Sequence, residues 1–383
     1  MIEKALSGSN RYWGLIGVLL VFMTLGAISY VVQFTYGLGA TGMSRDVTWG
    51  VYIAQFTFLV GVAASGVMVV LPYYLHNYKK FGKLTILGEF LAVAAVSMCL
   101  MFIIADLGQP LRALNVLLYP TPNSILFWDM IVLNVYLMLN ILVGWVALTC
   151  EKKEMPPPKW IKPFVYISIP WAASIHTVTA FLYAGLPGRH FWLTAIMAPR
   201  FLASAFAGGP ALLIILCMIL RKYTKFDAGR EAIGKLVTIV TYAAIINLFF
   251  VAMEFFTAYY SNIPGHKHTL DYLFFGTGQL VPWMRFSMAG VSVAIVMLLI
   301  PALRRHDGWL AGACGLLFVS LWIDKGIGLV IGGFVPNMLE EYTAYYPTLV
   351  EILVTLGIWS AGFLVLTVLY KIAITVKEEK MAS

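Results

Sequence analysis

Asp106, Asp129, His176, Glu254, Arg285 and Asp324 lie within or at the ends of long apolar stretches, where an ionisable side chain needs a reason. Carboxylates and an imidazole held away from bulk water are suited to accept and return protons. The 1.5 Å rise of a helix converts sequence position into depth. Asp106 ends one stretch, Asp129 sits one turn into the next, and Glu254 lies about 19 residues into another. Asp324 is about 15 residues, roughly 23 Å, from the start of its stretch. His176 lies two thirds of the way along its own, and Arg285 opens one. All of these fall toward one face, and Glu89 falls toward the other. A charge in lipid costs a few kcal/mol or more unless it is paired or wetted. A set of them at one level points to a shared, proton-handling cavity. Taken singly, Asp106, Arg285 and Glu351 fit helix-end charges reaching the headgroups equally well. Asn134, Asn140 and Asn247 fit hydrogen bonds between helices.

The elements that must position these residues are membrane-spanning helices. The chain has 383 residues, 61% apolar and 11% charged, with mean hydropathy +0.85. A soluble protein of this length could not keep so much apolar surface from water. Stretches of about 20 residues cross the hydrocarbon core. In lipid they must pair their backbone groups locally, hence as helices, and unbroken apolar runs argue against a β-barrel. The expected spans are Tyr12–Phe34, Gly50–Pro72, Leu84–Leu107, Ile125–Thr149, Pro163–Gly185, Phe201–Leu220, Leu236–Tyr260, Val281–Leu303, Trp309–Val335 and Glu351–Tyr370. With this set, 19 of the 26 Lys and Arg residues fall on the face that carries the termini. The opposite face has Arg45, Arg112, Arg189, Arg200, Lys267 and Arg285, and Lys325 lies within the ninth span. This bias places both termini in the cytoplasm and the chain in the cytoplasmic (inner) membrane. It also accounts for the net charge of +8 without nucleic acid.

An internal echo divides the chain. Phe34-Thr35-Tyr36-Gly37-Leu38 and Phe181-Leu182-Tyr183-Ala184-Gly185 end the first and fifth spans. Each precedes a helix rich in small residues, then a helix ending in an acid, Asp106 or Glu254. The expected architecture is all-α. Two four-helix bundles related by an internal repeat occupy 1–155 and 156–305, with two additional helices in 306–383. Met155-Pro156-Pro157-Pro158 reads as a stiff connector. Asp324-Lys325-Gly326 and the glycines after it predict a break in the ninth span, with residues 327–335 along the outer surface. The first span reads as a retained helix rather than a cleaved signal.

Cys99, Cys150, Cys217 and Cys314 form no CxxC or CxxCH pattern, so neither a covalent c-type haem nor an iron–sulfur cluster is expected in this chain. His176 alone is suited by depth to haem b, which needs two axial ligands. A haem b subunit and a secondary transporter, whose class also shows repeats and interrupted helices, are the alternative readings. Walker, Rossmann and nucleophile-elbow patterns are absent from the sequence.

Trp49-Gly50-Val51-Tyr52-Ile53-Ala54-Gln55-Phe56, Asp106-Leu107-Gly108-Gln109-Pro110-Leu111-Arg112 and Phe127-Trp128-Asp129 resemble the NrfD/PsrC family of quinone-interacting membrane subunits. The DLGxPxR segment is the most specific of these. The ten-span length, residues 174–181 and residues 198–202 are most similar to the DsrP-type branch of the DsrMKJOP and Hmc complexes. The resemblance implies a subunit without its own redox centre that binds menaquinone near the outer face. It implies electron exchange with a ferredoxin-like iron–sulfur subunit on that side. Further implied partners are a c-type cytochrome, a haem b membrane subunit and a cytoplasmic iron–sulfur subunit, linked to sulfite or sulfate metabolism. On the residues themselves, Asp106 or Asp129 can accept a quinol proton, and Arg112 can anchor a carbonyl or hold Asp106. Gln33, Tyr36, Gln55 and Trp128 can orient or stack on a ring. Glu89, His176, Glu254, Asp324 and Arg285 form a candidate proton relay. Equally, the DLGxPxR segment fits a turn held by an Asp–Arg pair.

Overall fold

The computed structural model describes residues 2–276 and 278–382. Ten helices are long and apolar enough to cross a membrane. They are α1 (Asn10–Tyr36), α2 (Val51–Tyr74), α3 (Gly82–Asp106), α4 (Ile125–Lys152), α5 (Ile161–Ala184), α6 (Met197–Tyr223), α7 (Arg230–Tyr260), α8 (Val281–Leu299), α9 (Asp307–Gly332) and α10 (Leu349–Ala382). No β-strand occurs among the described residues. This is an all-α polytopic membrane protein.

Helix ends follow local chemistry. Ser9 caps α1 by accepting from the Tyr12 N–H at 3.4 Å. α8 stops at Leu299 because Pro301 holds Ile300 extended. α10 runs past the expected Tyr370 into the charged tail. There Lys4 pairs with Glu379, and Lys377 reaches Glu151 at 2.9 Å. The termini therefore share one face, here called the basic face.

The contacts between helices show how they are grouped in space. α2 is buried without a break from Tyr52 to Val70, whereas most of α1 is exposed. α2 packs on α3, α6 and α9, and α6 packs on α5, α7 and α9. α10 lies chiefly on α1 and α3, so the last two helices do not form a unit of their own. The contacts instead assemble α2–α5 and α6–α9 around the α2–α6 pair. The sequence echo marks similar helix ends, but which helices touch depends on small residues at crossings. A Cβ at Gly26 would sit 2.6 Å from the Gly357 Cα, so α1 and α10 meet backbone to backbone. A Cβ at Gly209 would sit 2.9 Å from the Val62 carbonyl, which joins α6 to α2 in the same way.

α9 does not break at Asp324. It continues through a π-helical turn, Trp322–Gly328, and Val330, Ile331, Phe334 and Val335 are buried rather than spread on the surface. Asp324 and Lys325 of this widened turn are both buried in the protein. Asn134 and Asn140 donate to carbonyls one turn back in α4 rather than to other helices.

Candidate functional site

Opposite the basic face, the end of α1, the turn Gly37–Ala40 and residues 107–111 after α3 enclose a cleft of about 290 Å³. α3 ends here because Leu107 turns extended and Pro110 excludes a helical Gln109. Gln33, the deeply buried member of the lining, donates to the Ala105 carbonyl at 2.6 Å. Its oxygen accepts from the Tyr52 hydroxyl, also at 2.6 Å. One amide thus pins α1, α2 and α3 together. Asp106 follows Ala105 in sequence and precedes Leu107, a lining residue. Its Oδ1 is shielded from solvent and has no hydrogen-bond partner among the described residues. Tyr36 stands 77% exposed at the rim. Arg112 is exposed too and makes no ion pair with Asp106, so the expected Asp–Arg pair is not formed. The turn between them carries Arg112 outward. Trp128 also lies outside the cleft, its indole donating to the Pro122 carbonyl at 2.8 Å.

Behind this cleft, Glu351 is fully buried rather than at the headgroups. It accepts from the Gly42 N–H at 2.7 Å, the Thr348 N–H at 2.8 Å and the Tyr345 hydroxyl at 2.7 Å. Tyr345 accepts in turn from the Val51 N–H at 2.8 Å. This satisfied carboxylate is a clasp between the α1–α2 loop, the start of α2 and α10. Gly42 is required there, since a Cβ would collide with the Tyr346 carbonyl.

Gln55 belongs to a separate groove of about 220 Å³ between α2, α9 and α10. Its oxygen accepts from the indoles of Trp322 and Trp359 at 2.9 and 3.0 Å, and its nitrogen has no partner among the described residues.

The second half carries its own buried charges at the same end. Arg200, near the start of α6, bonds Glu254 of α7 through one nitrogen. Its other nitrogen reaches both oxygens of Asp324 at 2.8 and 3.0 Å. Free space beside this triad is only about 10 Å³, at the limit for one water. Lys325 donates to the Phe201 carbonyl at 3.2 Å and lies 4.1 Å from the Phe201 ring centre. Arg285 takes no part. It is exposed and donates to the Phe274 carbonyl at 2.9 Å.

The family model described as polysulphide reductase, NrfD, matches residues 39–335. The chain belongs to the NrfD family. Among its relatives, the provisionally named membrane component of a dimethyl sulfoxide reductase from Halobacterium salinarum is 26% identical, over 92% of this chain and 89% of that protein. A component of the selenate reductase of Mesobacillus selenatarsenatis is 24% identical, over 86% and 84%. An Hdr-like menaquinol oxidoreductase integral membrane subunit from Archaeoglobus fulgidus is 23% identical, over 98% and 96%.

The remaining residues singled out in this NrfD-family chain are scattered. Asp129 is buried between α4 and α5, where the Thr179 hydroxyl donates to its Oδ1 at 2.7 Å. His176 is fully buried, with both ring nitrogens unpartnered among the described residues. Glu89 is buried toward the basic face, beside Gly144 of α4, and one of its oxygens is unpartnered in the same sense. The structure joins Glu254 to Asp324 and sets Gln33 beside Asp106, and it keeps those two groups apart. Sequence inspection left Arg200, Lys325, Tyr52 and Thr179 without roles. For Arg200 a signal existed: a cation at the depth of two acids. Thr179 and Tyr52 gave none, because hydroxyls are ordinary in membrane helices.

Proposed function

We propose that this NrfD-family protein is the menaquinol-reactive membrane subunit of a respiratory oxidoreductase complex, working at the cleft beside Asp106. The observation that carries this reading is an open cleft lined by Leu107, the residue after Asp106, whose buried oxygen has no partner among the described residues. Its volume is near the lower end of ligand pockets, roughly 300 Å³, which suits a ring whose tail stays in lipid. Bound quinol supplies two electrons and two protons on oxidation to quinone. The chain's residues receive a proton at the free Asp106 oxygen, hold the ring by Leu38, Leu107 and Leu111, and keep the floor rigid through Gln33 and Tyr52. Gln33 engages both amide groups with protein partners, so it shapes the floor and is not an open hydrogen-bonding site for the ring.

The finer assignments rest on the motifs. Electrons pass to a ferredoxin-like iron–sulfur subunit docked over residues 107–119, where Leu111, Leu118 and Tyr119 are exposed. A Dsr-type assembly acting on sulfur compounds is completed by a c-type cytochrome, a haem b membrane subunit and a cytoplasmic iron–sulfur subunit. The terminal reactions named for the relatives differ, so the terminal substrate depends on those partners. The Lys and Arg bias supports termini in the cytoplasm and insertion in the inner membrane. Two four-helix units related by an internal repeat, with α2 and α6 packed together between them, are part of this reading. Buried Glu89, His176 and Glu254 mark the route for proton movement between the faces.

The test is quinol-dependent reduction of the partner by the assembled complex. D106N removes the proton acceptor, and turnover is expected to fall by about 10²-fold or more with assembly intact. G108W, whose Cβ meets only Leu38, at 3.4 Å, should block the cleft and give the same loss. Normal turnover in both variants would remove the site.

A further inference from the structure

On the basic face, the α6–α7 and α8–α9 connections open a cavity of about 420 Å³, far from the cleft beside Asp106. Met218, Ile233, Val237 and Leu310 give it an apolar wall. Its rim holds Arg221, Arg230, Lys235, Arg304 and Arg305. The acids of the same rim are already engaged. Asp307 pairs with Arg221, Glu231 pairs with Lys80 outside the cavity, and Asp227 accepts from the Gly229 N–H at 3.0 Å. Arg230, Lys235, Arg304 and Arg305 make no ion pair or side-chain hydrogen bond among the described residues. Unpaired cations around one concavity raise its potential and draw an anion. The first turn of α7 adds to this, because Gly229 at its cap position offers no side-chain acceptor.

The walls decide which anion. Beside the cations the cavity has an apolar wall of Met218, Ile233, Val237 and Leu310, which suits acyl carbons and offers a free phosphate no partner. We propose that the cavity seats the headgroup of an anionic phospholipid, with its phosphate among Arg230, Lys235, Arg304 and Arg305 and its first acyl carbons along Ile233 and Val237. The inference does not depend on the quinone reading.

The test is native mass spectrometry of the purified full-length protein with equal amounts of phosphatidylglycerol and phosphatidylcholine of identical chains. The protein should retain phosphatidylglycerol in preference. R304Q/R305Q should weaken that retention by roughly thirtyfold, about fivefold per cation. K152Q/K153Q removes two exposed cations of the same face outside the cavity and should leave retention unchanged. G234W keeps every charge and fills the cavity, since nothing lies within 4 Å of a Cβ at that position. It should abolish the preference, and it decides the matter if R304Q/R305Q does not fold. Equal retention of the two lipids, full retention in G234W, or an equal loss in K152Q/K153Q would overturn the proposal. So would displacement of the lipid by inorganic phosphate, which would make this a free-phosphate site.

Discussion

Asp106 and Glu254 occupy matching places, each toward the end of a helix that follows a helix of small residues, yet their surroundings are opposite. Glu254 is clamped by Arg200, which also holds Asp324, and about 10 Å³ of free space remains beside them. Asp106 has no ion pair among the described residues, keeps a buried oxygen without a partner, and adjoins a 290 Å³ cleft. Glu254 too keeps one buried oxygen without a partner among the described residues, but its charge is met by Arg200 and almost no open space lies beside it. Asp106 has no counter-charge paired to it among the described residues, and the residue after it, Leu107, lines an open cleft. The position of a carboxylate in a repeat therefore does not settle its role. What approaches it from neighbouring helices does.

The strongest way to break this comparison is at Arg200. R200M leaves Glu254 and Asp324 as uncompensated buried acids, and breaking a buried pair costs about 3–5 kcal/mol. The thermal unfolding temperature of the purified protein should fall sharply, and R200M/E254Q/D324N should recover part of the loss. A normal melt for R200M would mean that the triad is not what holds α6, α7 and α9 together. Q33L tests the floor of the other site. It strips the Tyr52 hydroxyl of its acceptor and should destabilise by about 1–3 kcal/mol. Quinol KM should rise about tenfold by the same argument, and an unchanged KM would detach the floor from the ring. Asp129 sharpens the contrast between the two α3–α4 acids. D129N keeps an oxygen for Thr179, so turnover should change less than about threefold, well short of the loss expected when D106N removes the proton acceptor. Equal losses in the two variants would move the proton acceptor deeper. The smallest effect belongs to Arg112. As an exposed residue without an ion pair, R112Q should alter stability by no more than about 0.5 kcal/mol. Its measurable consequence is a weaker salt dependence of partner association, read from binding rates at two ionic strengths.

Hydropathy and the Lys and Arg bias were enough to find ten spans, because each must hide its backbone from lipid within its own residues. The DLGxPxR segment located the cleft, since its Gly and Pro end α3 by local rules. Where Arg112 and Trp128 would point was not legible, because Arg112 follows a turn and Trp128 bonds the Pro122 carbonyl of the preceding loop. The glycines after Asp324 marked a local irregularity, but that it is a π-helical turn at Trp322–Gly328 and not a break depends on packing against neighbouring helices.

Composition by itself determined that this chain crosses the membrane as helices, with its basic loops gathered on one face. Those properties depend on each segment's own exchange with lipid and water. Tertiary structure alone decided that Arg200 reaches two acids, 54 and 124 residues away, while Asp106 has no ion pair among the described residues. Partnership between distant helices depends on crossing distances set by residues such as Gly26, Gly209 and Gly357, and no local pattern encodes which helix will come close.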